Sequence, residues 1–234
     1  MRKLIIIILL VSFGGGTALA TVFTIEDPPV DFEVVDADPF DGIGDSGPYA
    51  NFNDVLLGTD CECRSMAEFN ISLFNVPPGE FISSATLDVT ITEIDIFGCG
   101  VDGETPASVA VDGYVGDGVA QQSDFQAGDS NFLYSVATPD PQIGQVLSFD
   151  VTAFVTDLVN ADESFVGLTV RAETFGGLWV TEGNSFPKLT IVTTPESEVP
   201  TLSEWGLLIM GLLLLAIGTA ALVMRRKAAI NSTA

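Results

Sequence analysis

Apolar and polar side chains take turns through the middle of this chain. In Met66 to Phe74, Ala67, Phe69, Ile71 and Leu73 alternate with Glu68, Asn70 and Ser72. In Ala85 to Thr92, Ala85, Leu87, Val89 and Ile91 alternate with Thr86, Asp88 and Thr90. Successive strand side chains point to opposite faces, so a period of two predicts strands with one buried and one wet face, the pattern of antiparallel sheets. Further strands are predicted at about 107–115, 146–151, 165–172, 177–182 and 188–193, with weaker signals at 31–35 and 53–57. Pro77-Pro78-Gly79, Gly116-Asp117-Gly118 and Gly176-Gly177 mark turns between them. Thr152 to Asn160 alone reads as helix, with Phe154, Val155, Leu158 and Val159 on one side. No internal repeat is visible. The expectation is all-β: an antiparallel two-sheet β-sandwich with a single core over residues 21–193.

Both ends of the chain break this pattern. Met1-Arg2-Lys3 precedes an apolar run from Leu4 to Phe13, then small residues ending Ala18-Leu19-Ala20. A basic start, a short apolar stretch and an A-x-A site predict a signal peptide over 1–20, cut by signal peptidase between Ala20 and Thr21 with Ala18 and Ala20 as the small residues recognised. An uncleaved anchor is the alternative, but the run is short for spanning and Gly14-Gly15-Gly16 breaks it. At the other end, residues 206–224 contain no charge and meet Arg225-Arg226-Lys227 at once. At about 1.5 Å per residue this predicts a helix of about 28 Å, enough for a hydrocarbon core of about 30 Å. The basic triplet stops transfer and stays on the cytoplasmic side in the tail 225–234, leaving the N-terminal side outside. A buried core helix fits a uniformly apolar segment beside a basic stop poorly. Residues 194–205 then form a linker that carries the segment before the span.

Removing the ends sharpens the charge. Residues 21–200 hold 31 acidic residues against Arg64, Arg171 and Lys188, a net charge of −28. Such a surface repels nucleic acid and anionic lipid and attracts cations. Disorder, the other reading of high net charge, conflicts with the many Val, Ile, Leu and Phe at strand spacing. There is no histidine, which removes Ser-His-Asp and Cys-His catalysis and every His-containing metal site. Cys61, Cys63 and Cys99 lie on the exported side; three is odd, so at most one internal disulfide forms. Cys61 and Cys63 are too close in sequence to pair, which leaves Cys99 with either of them. Zinc would need a fourth ligand such as Asp60.

Candidate chemistry is thin. Asp117-Gly118 followed by Asp124 mimics part of an EF-hand loop, but Gly113 and Val115 stand where earlier ligands belong, so a hairpin turn is expected. Asp31, Asp36, Asp38, Asp41 and Asp45 form an acidic stretch. Asp36, Asp38 and Asp41 are its candidate calcium ligands, and a solvated loop is the plain alternative. No metal site is firm, and no other cofactor is expected. Trp179 and Tyr114 would make a sugar platform if exposed and packing residues if not. Carboxylate pairs suited to glycoside hydrolysis can be drawn almost anywhere among so many acids, so none is assigned as catalytic.

Two segments carry resemblances. Val199-Pro200-Thr201-Leu202-Ser203-Glu204-Trp205-Gly206, followed by an apolar helix and a basic end, resembles the IPTL-CTERM sorting signal, a relative of PEP-CTERM tails. Pro200, Thr201, Leu202, Trp205 and Gly206 match, and Val199 replaces the usual isoleucine. The resemblance implies processing by an exosortase-type membrane peptidase and delivery from the inner membrane to the cell surface or extracellular matrix. Residues 228–234 extend further past the basic cluster than such tails do. Independently, Arg64 to Phe74, Val76-Pro77-Pro78-Gly79, Ile82-Ser83-Ser84-Ala85-Thr86-Leu87, Phe149-Asp150-Val151-Thr152 and Pro187-Lys188-Leu189 resemble DNRLRE-type jelly-roll domains, which are similar to carbohydrate-binding modules. That likeness spans about residues 50–193 and carries no binding residues across. The resulting expectation is an exported structural or adhesive envelope protein binding extracellular polysaccharide. The rival is a histidine-free polysaccharide lyase or glycoside hydrolase, which would show carboxylates converging with Arg64, Arg171 or Lys188.

Overall fold

The computed structural model describes residues 20–26, 28–38, 41–50, 53–128, 131–181, 186–196 and 209–215. Among the described residues up to Pro195, fourteen strands and two helices follow one another: β1 (Thr21–Glu26), β2 (Val30–Asp36), β3 (Ser46–Tyr49), β4 (Asp54–Leu57), β5 (Glu62–Asn70), β6 (Glu80–Glu93), β7 (Phe97–Gly98), β8 (Val101–Asp102), β9 (Ser108–Val115), α1 (Asp124–Ala127), β10 (Phe132–Ala137), β11 (Val146–Asp150), α2 (Thr152–Asn160), β12 (Phe165–Ala172), β13 (Gly176–Val180) and β14 (Lys188–Pro195). The protein is all-β with antiparallel pairing throughout its sheets.

One layer runs β1-β14-β6-β11 and the other β3-β2-β5-β12-β9-β10. The long β6 joins them: its first ten or so residues pair with β14 and β11, and its end turns to β13, which pairs with β4 beside β5. Register shifts at Val192/Thr193 and Trp179/Val180 sit where the sheet curls, as bulges do when a strand must bend. β7 and β8 form a separate hairpin.

The main core fills the space between the layers. Ala85, Leu87, Val89 and Ile91 of β6 face Ala67 and Phe69 of β5, Val109 and Val111 of β9, and Val166, Leu168 and Val170 of β12. These are the apolar positions of the alternating segments. α2 occupies the expected residues and turns Val155 and Leu158 into the core, with Phe154 and Val159 partly buried against it.

Two details depart from the pattern. β5 stops at Asn70, whose side chain accepts from the Ser72 amide and hydroxyl, so Leu73 is exposed and not in the core. Glu68, on the face expected to be wet, has no exposure. The reason is the 116–131 connection. It is not the tight hairpin expected from Gly116-Asp117-Gly118; with α1 it lies across the outer face of the second layer. A second cluster forms there from Phe32, Val34, Met66, Tyr114 and Phe125.

The C-terminal residues 196–234 form a compact unit of their own. Within it, residues 209–215 are helical and their side chains are exposed, as the large apolar ones from Ile209 to Leu215 show. Among the described residues no helix is long and apolar enough to cross a membrane. The expected span 206–224 runs beyond the described residues on both sides. The signal segment up to Leu19, the sorting residues Val199 to Gly206 and the basic Arg225, Arg226 and Lys227 lie outside them as well.

Candidate functional site

The outer face of the second layer collects charge. In the β5–β12 ladder Ser65 lies opposite Val170, so Arg64 and Arg171, one residue on, fall side by side on the face that also carries Glu62, Met66 and Glu68. Arg64 is nearly buried. Its Nε donates to Glu62 Oε1 at 2.6 Å, its Nη1 to the Phe125 carbonyl at 2.9 Å, and its guanidinium lies 3.9 Å from the Phe125 ring centroid. Arg171 Nε donates to Asp112 Oδ2 at 2.5 Å, and Asp112 is itself 1% exposed. Buried charges persist where they are paired and hydrogen-bonded, and both guanidiniums meet that condition.

The same face holds acids without a cation. Glu68 Oε2 accepts from the Gly118 amide at 2.6 Å, pinning the covering segment. Its other oxygen has no hydrogen-bond partner among the described residues, and the Tyr114 hydroxyl faces it without hydrogen-bond geometry. Burial raises the pKa of Glu68, with Asp124 and Asp117 adding to the rise. Asp124, which accepts from the Gln121 amide at 2.9 Å, is pushed up to about 6, chiefly by burial. Gly167 makes room for this arrangement, since a Cβ there would come within 2.5 Å of the Tyr114 ring.

A second polar centre lies where β2, β4 and β5 meet. Glu33 stands opposite Ser65 and Val35 opposite Cys63, so Glu33 and Cys63 share a face. Glu33, Asp54 and Cys63 bring their carboxylate oxygens and sulfur within 4.8 Å of one another. Burial, then the Asp54 charge, pushes Glu33 up to about 7. Burial, then Glu33 and Asp54, raises the Cys63 thiol. Beside it Cys61 is disulfide-bonded to Cys99 with Cα atoms 4.9 Å apart, and Cys63 Sγ stands 3.9 Å from Cys99 Sγ.

The residues singled out from sequence scatter. In the acidic stretch, Asp36 is buried, Asp45 accepts from the Ala37 amide, Asp36 from Asp38, and Asp41 from Ile43. These carboxylates serve as acceptors for the turn, which is the solvated-loop behaviour at Asp41 and Asp45. Asp36 Oδ2 is buried without a hydrogen-bond partner among the described residues, and burial raises its pKa. Tyr114 is 5% exposed under the covering segment, and Trp179 packs against Leu56, Cys63, Ile96 and Val101. Neither presents a sugar platform; both are packing residues. Lys188 pairs with Asp88 at 3.2 Å on the first layer, away from the two arginines. A shallow depression lies between Ile71–Asn75 and the residues after α2, Asp162 to Ser164.

Glu33, Asp54 and Glu68 were not singled out by sequence as candidates, and Asp124 only as part of the EF-hand mimic. One signal was present: Glu33 sits between Phe32 and Val34 in a strand that is apolar on both sides of it.

Comparison with known proteins speaks for the other end of the chain. Residues 199–227 match the IPTL-CTERM motif. This is 29 of 234 residues, and it falls on the segment of Pro200, Thr201, Leu202, Trp205 and Gly206. The IPTL-CTERM motif marks an exported protein sorted to the surface and implies processing by an exosortase-type sorting peptidase. No curated protein matches the chain.

Proposed function

We propose that this protein is a structural or adhesive component of the cell envelope or extracellular matrix, held until processing by a single membrane span over residues 206–224 with its N-terminal side outside, and that its β-sandwich binds extracellular polysaccharide. The IPTL-CTERM match carries this reading, because it accounts for an acidic ectodomain followed by a motif, an apolar segment and a basic stop. The sandwich supports it by offering a body whose three bases are all tied up in pairs with its own acids. Phe132 and Tyr134, exposed on the edge strand β10, offer the apolar ring surface that sugars stack against. Glycan-array binding by the protein, with and without calcium, tests the adhesive part; absence of binding to every polysaccharide class under both conditions would remove it.

One observation favours an enzyme instead. Arg64 and Arg171 lie side by side with Glu62 and Asp112, the convergence of carboxylates with arginines expected of such an enzyme. The 116–131 connection covers that face, and Arg171 keeps a quarter of its side chain open. New reducing or unsaturated sugar ends released by the protein would decide for this reading.

Sorting has its own test. Replacing Pro200, Thr201 and Leu202 together with alanine should leave a full-length protein in the inner membrane. Release of that variant at the wild-type rate would show that these residues are not what the peptidase reads.

A further inference from the structure

Three sulfurs converge at one end of the sandwich. Cys61, Cys63 and Cys99 place their Sγ atoms within 4.8 Å of one another. Cys99 occupies the tip of the β7–β8 hairpin. Gly98 pairs with Val101, so the loop is the two residues Cys99-Gly100, with φ of 50° and 78°. Two positive φ values are the signature of a type I′ turn, which presents the Cys99 side chain at a tight, fixed corner. The corner is held against the 58–61 loop: the Asp60 amide donates to the Cys99 carbonyl at 3.1 Å, and a Cβ on Gly58 would fall 1.8 Å from that carbonyl oxygen. Cys99 is therefore delivered to a position shared by two possible partners. Cys61, half-buried, is bonded to it; Cys63, buried, waits 3.9 Å away.

Of the three pairings, Cys61 with Cys63 is the poorest. Cys61 just precedes β5 and Cys63 lies in it, and residues two apart in extended chain are separated by about 6.6 Å, at the far edge of disulfide geometry. Exchange is therefore productive only at Cys99.

We propose that Cys63 is an exchange thiol that moves the bridge from Cys61–Cys99 to Cys63–Cys99 and so turns Cys61 into a surface modification site for low-molecular-weight disulfides and thiol-alkylating agents. The step balances within the protein. The Cys63 proton passes to the Glu33 carboxylate, which shares a hydrogen bond with the thiol. The Cys63 thiolate attacks Cys99 Sγ, the new S–S bond forms as the Cys61–Cys99 bond breaks, and Cys61 leaves as a thiolate that takes a proton from solvent. No electrons are gained or lost. A small disulfide then reacts with the Cys61 thiolate to give a mixed disulfide and release one thiol. The direction of transfer follows the burial. Attack is slow, because Cys63 forms a thiolate poorly among Glu33, Asp54 and Glu62, but the equilibrium favours leaving the free sulfur at Cys61, which is only half-buried. Exchange replaces a buried free thiol with a covalent bond and moves the ionisable sulfur to the half-buried Cys61.

The test uses the full-length chain purified without reductant and held natively with iodoacetamide at mildly alkaline pH. After acid quenching, proteolysis and mass spectrometry locate the label and the disulfide-linked peptides. The expected result is one label per chain on Cys61, growing in step with a Cys63–Cys99 peptide. Cys63→Ser should take no label. Cys61→Ser should form the Cys63–Cys99 bridge by itself and also take none. Label on Cys63 or Cys99 in the native wild type overturns the proposal. So does a wild type that takes no label until denaturant is added and keeps Cys61–Cys99 throughout.

Discussion

Glu33 and Arg64 are charged residues folded away in opposite ways, and the difference is testable. Arg64 is compensated by Glu62, the Phe125 carbonyl and the Phe125 ring. Arg64→Ala would leave Glu62 buried without its ion-pair partner, so it should cost about 3–5 kcal/mol, read as a fall in the urea midpoint at constant slope. Glu33 gains no such compensation: burial and the Asp54 charge disfavour its ionised form, and the hydrogen bond with the Cys63 thiol offsets only part of that. Its folded pKa, about 7, lies above the ordinary 4.5, so the native state holds the proton more tightly than the unfolded chain between those values. Stability therefore falls as pH rises through that window and levels off above it. Asp124, raised to about 6, acts in the same direction. For Glu33 the effect should be on the order of 2 kcal/mol once partial solvent screening is allowed for. Glu33→Gln should flatten the decline between about pH 5 and about pH 8 in urea unfolding. An unchanged slope would mean that Glu33 is ionised in the native protein throughout.

At the scale of elements, legibility depended on how many faces of a strand are covered. β6 is covered on one face, its alternation is clean, and Ala85, Leu87, Val89 and Ile91 went where the pattern put them. β12 and α2 also appeared on the expected residues, β12 although most of its residues are buried on both faces. β5 is covered on both, by the main core and by the 116–131 connection, so Glu62, Arg64 and Glu68 are buried although they read as wet. No period reports that, because the cover comes from residues some fifty positions away, as Gly118 on Glu68 shows. β1, β3, β7, β8 and β10 were not anticipated. β1 is held by its register with β14, Thr21 opposite Thr193 through Glu26 opposite Lys188, a long-range pairing that local sequence does not announce. The cysteine centre was half legible: Cys99 was narrowed to two partners, and only the hairpin corner shows that both are within reach. That corner is rigid because backbone meets backbone. Gly58→Ala would drive a Cβ into the Cys99 carbonyl, and one loop must move. A loss of about 1–3 kcal/mol is expected, together with faster labelling of the cysteines under native conditions.

For the molecule as a whole, charge outweighs any single contact. A net −28 over residues 21–200 means that folding brings like charges closer than they are in the unfolded chain. Among the described residues, the ion pairs Arg64–Glu62, Arg171–Asp112 and Lys188–Asp88 set three cations against the 31 acids. Salt screens the remainder within a Debye length of about 8 Å at physiological ionic strength, so the thermal midpoint should climb with sodium chloride. A bound cation would behave differently. If Asp36, Asp38 and Asp41 hold calcium, stabilisation follows RT ln(1 + [L]/Kd), saturable and additional to screening at matched ionic strength. Asp36 is where the two effects part company. Its buried Oδ2 lacks a hydrogen-bond partner among the described residues, so screening by mobile ions reaches it least and a coordinated ion would relieve it most. Thermal unfolding in sodium chloride, then in calcium at equal ionic strength, should show the sodium response in the wild type. A saturable calcium increment that disappears in Asp36→Asn would place the ion at this turn, whereas an increment that survives the substitution would place it elsewhere. A midpoint indifferent to both salts would mean that the carboxylates are far enough apart, or protonated enough, for their repulsion not to matter.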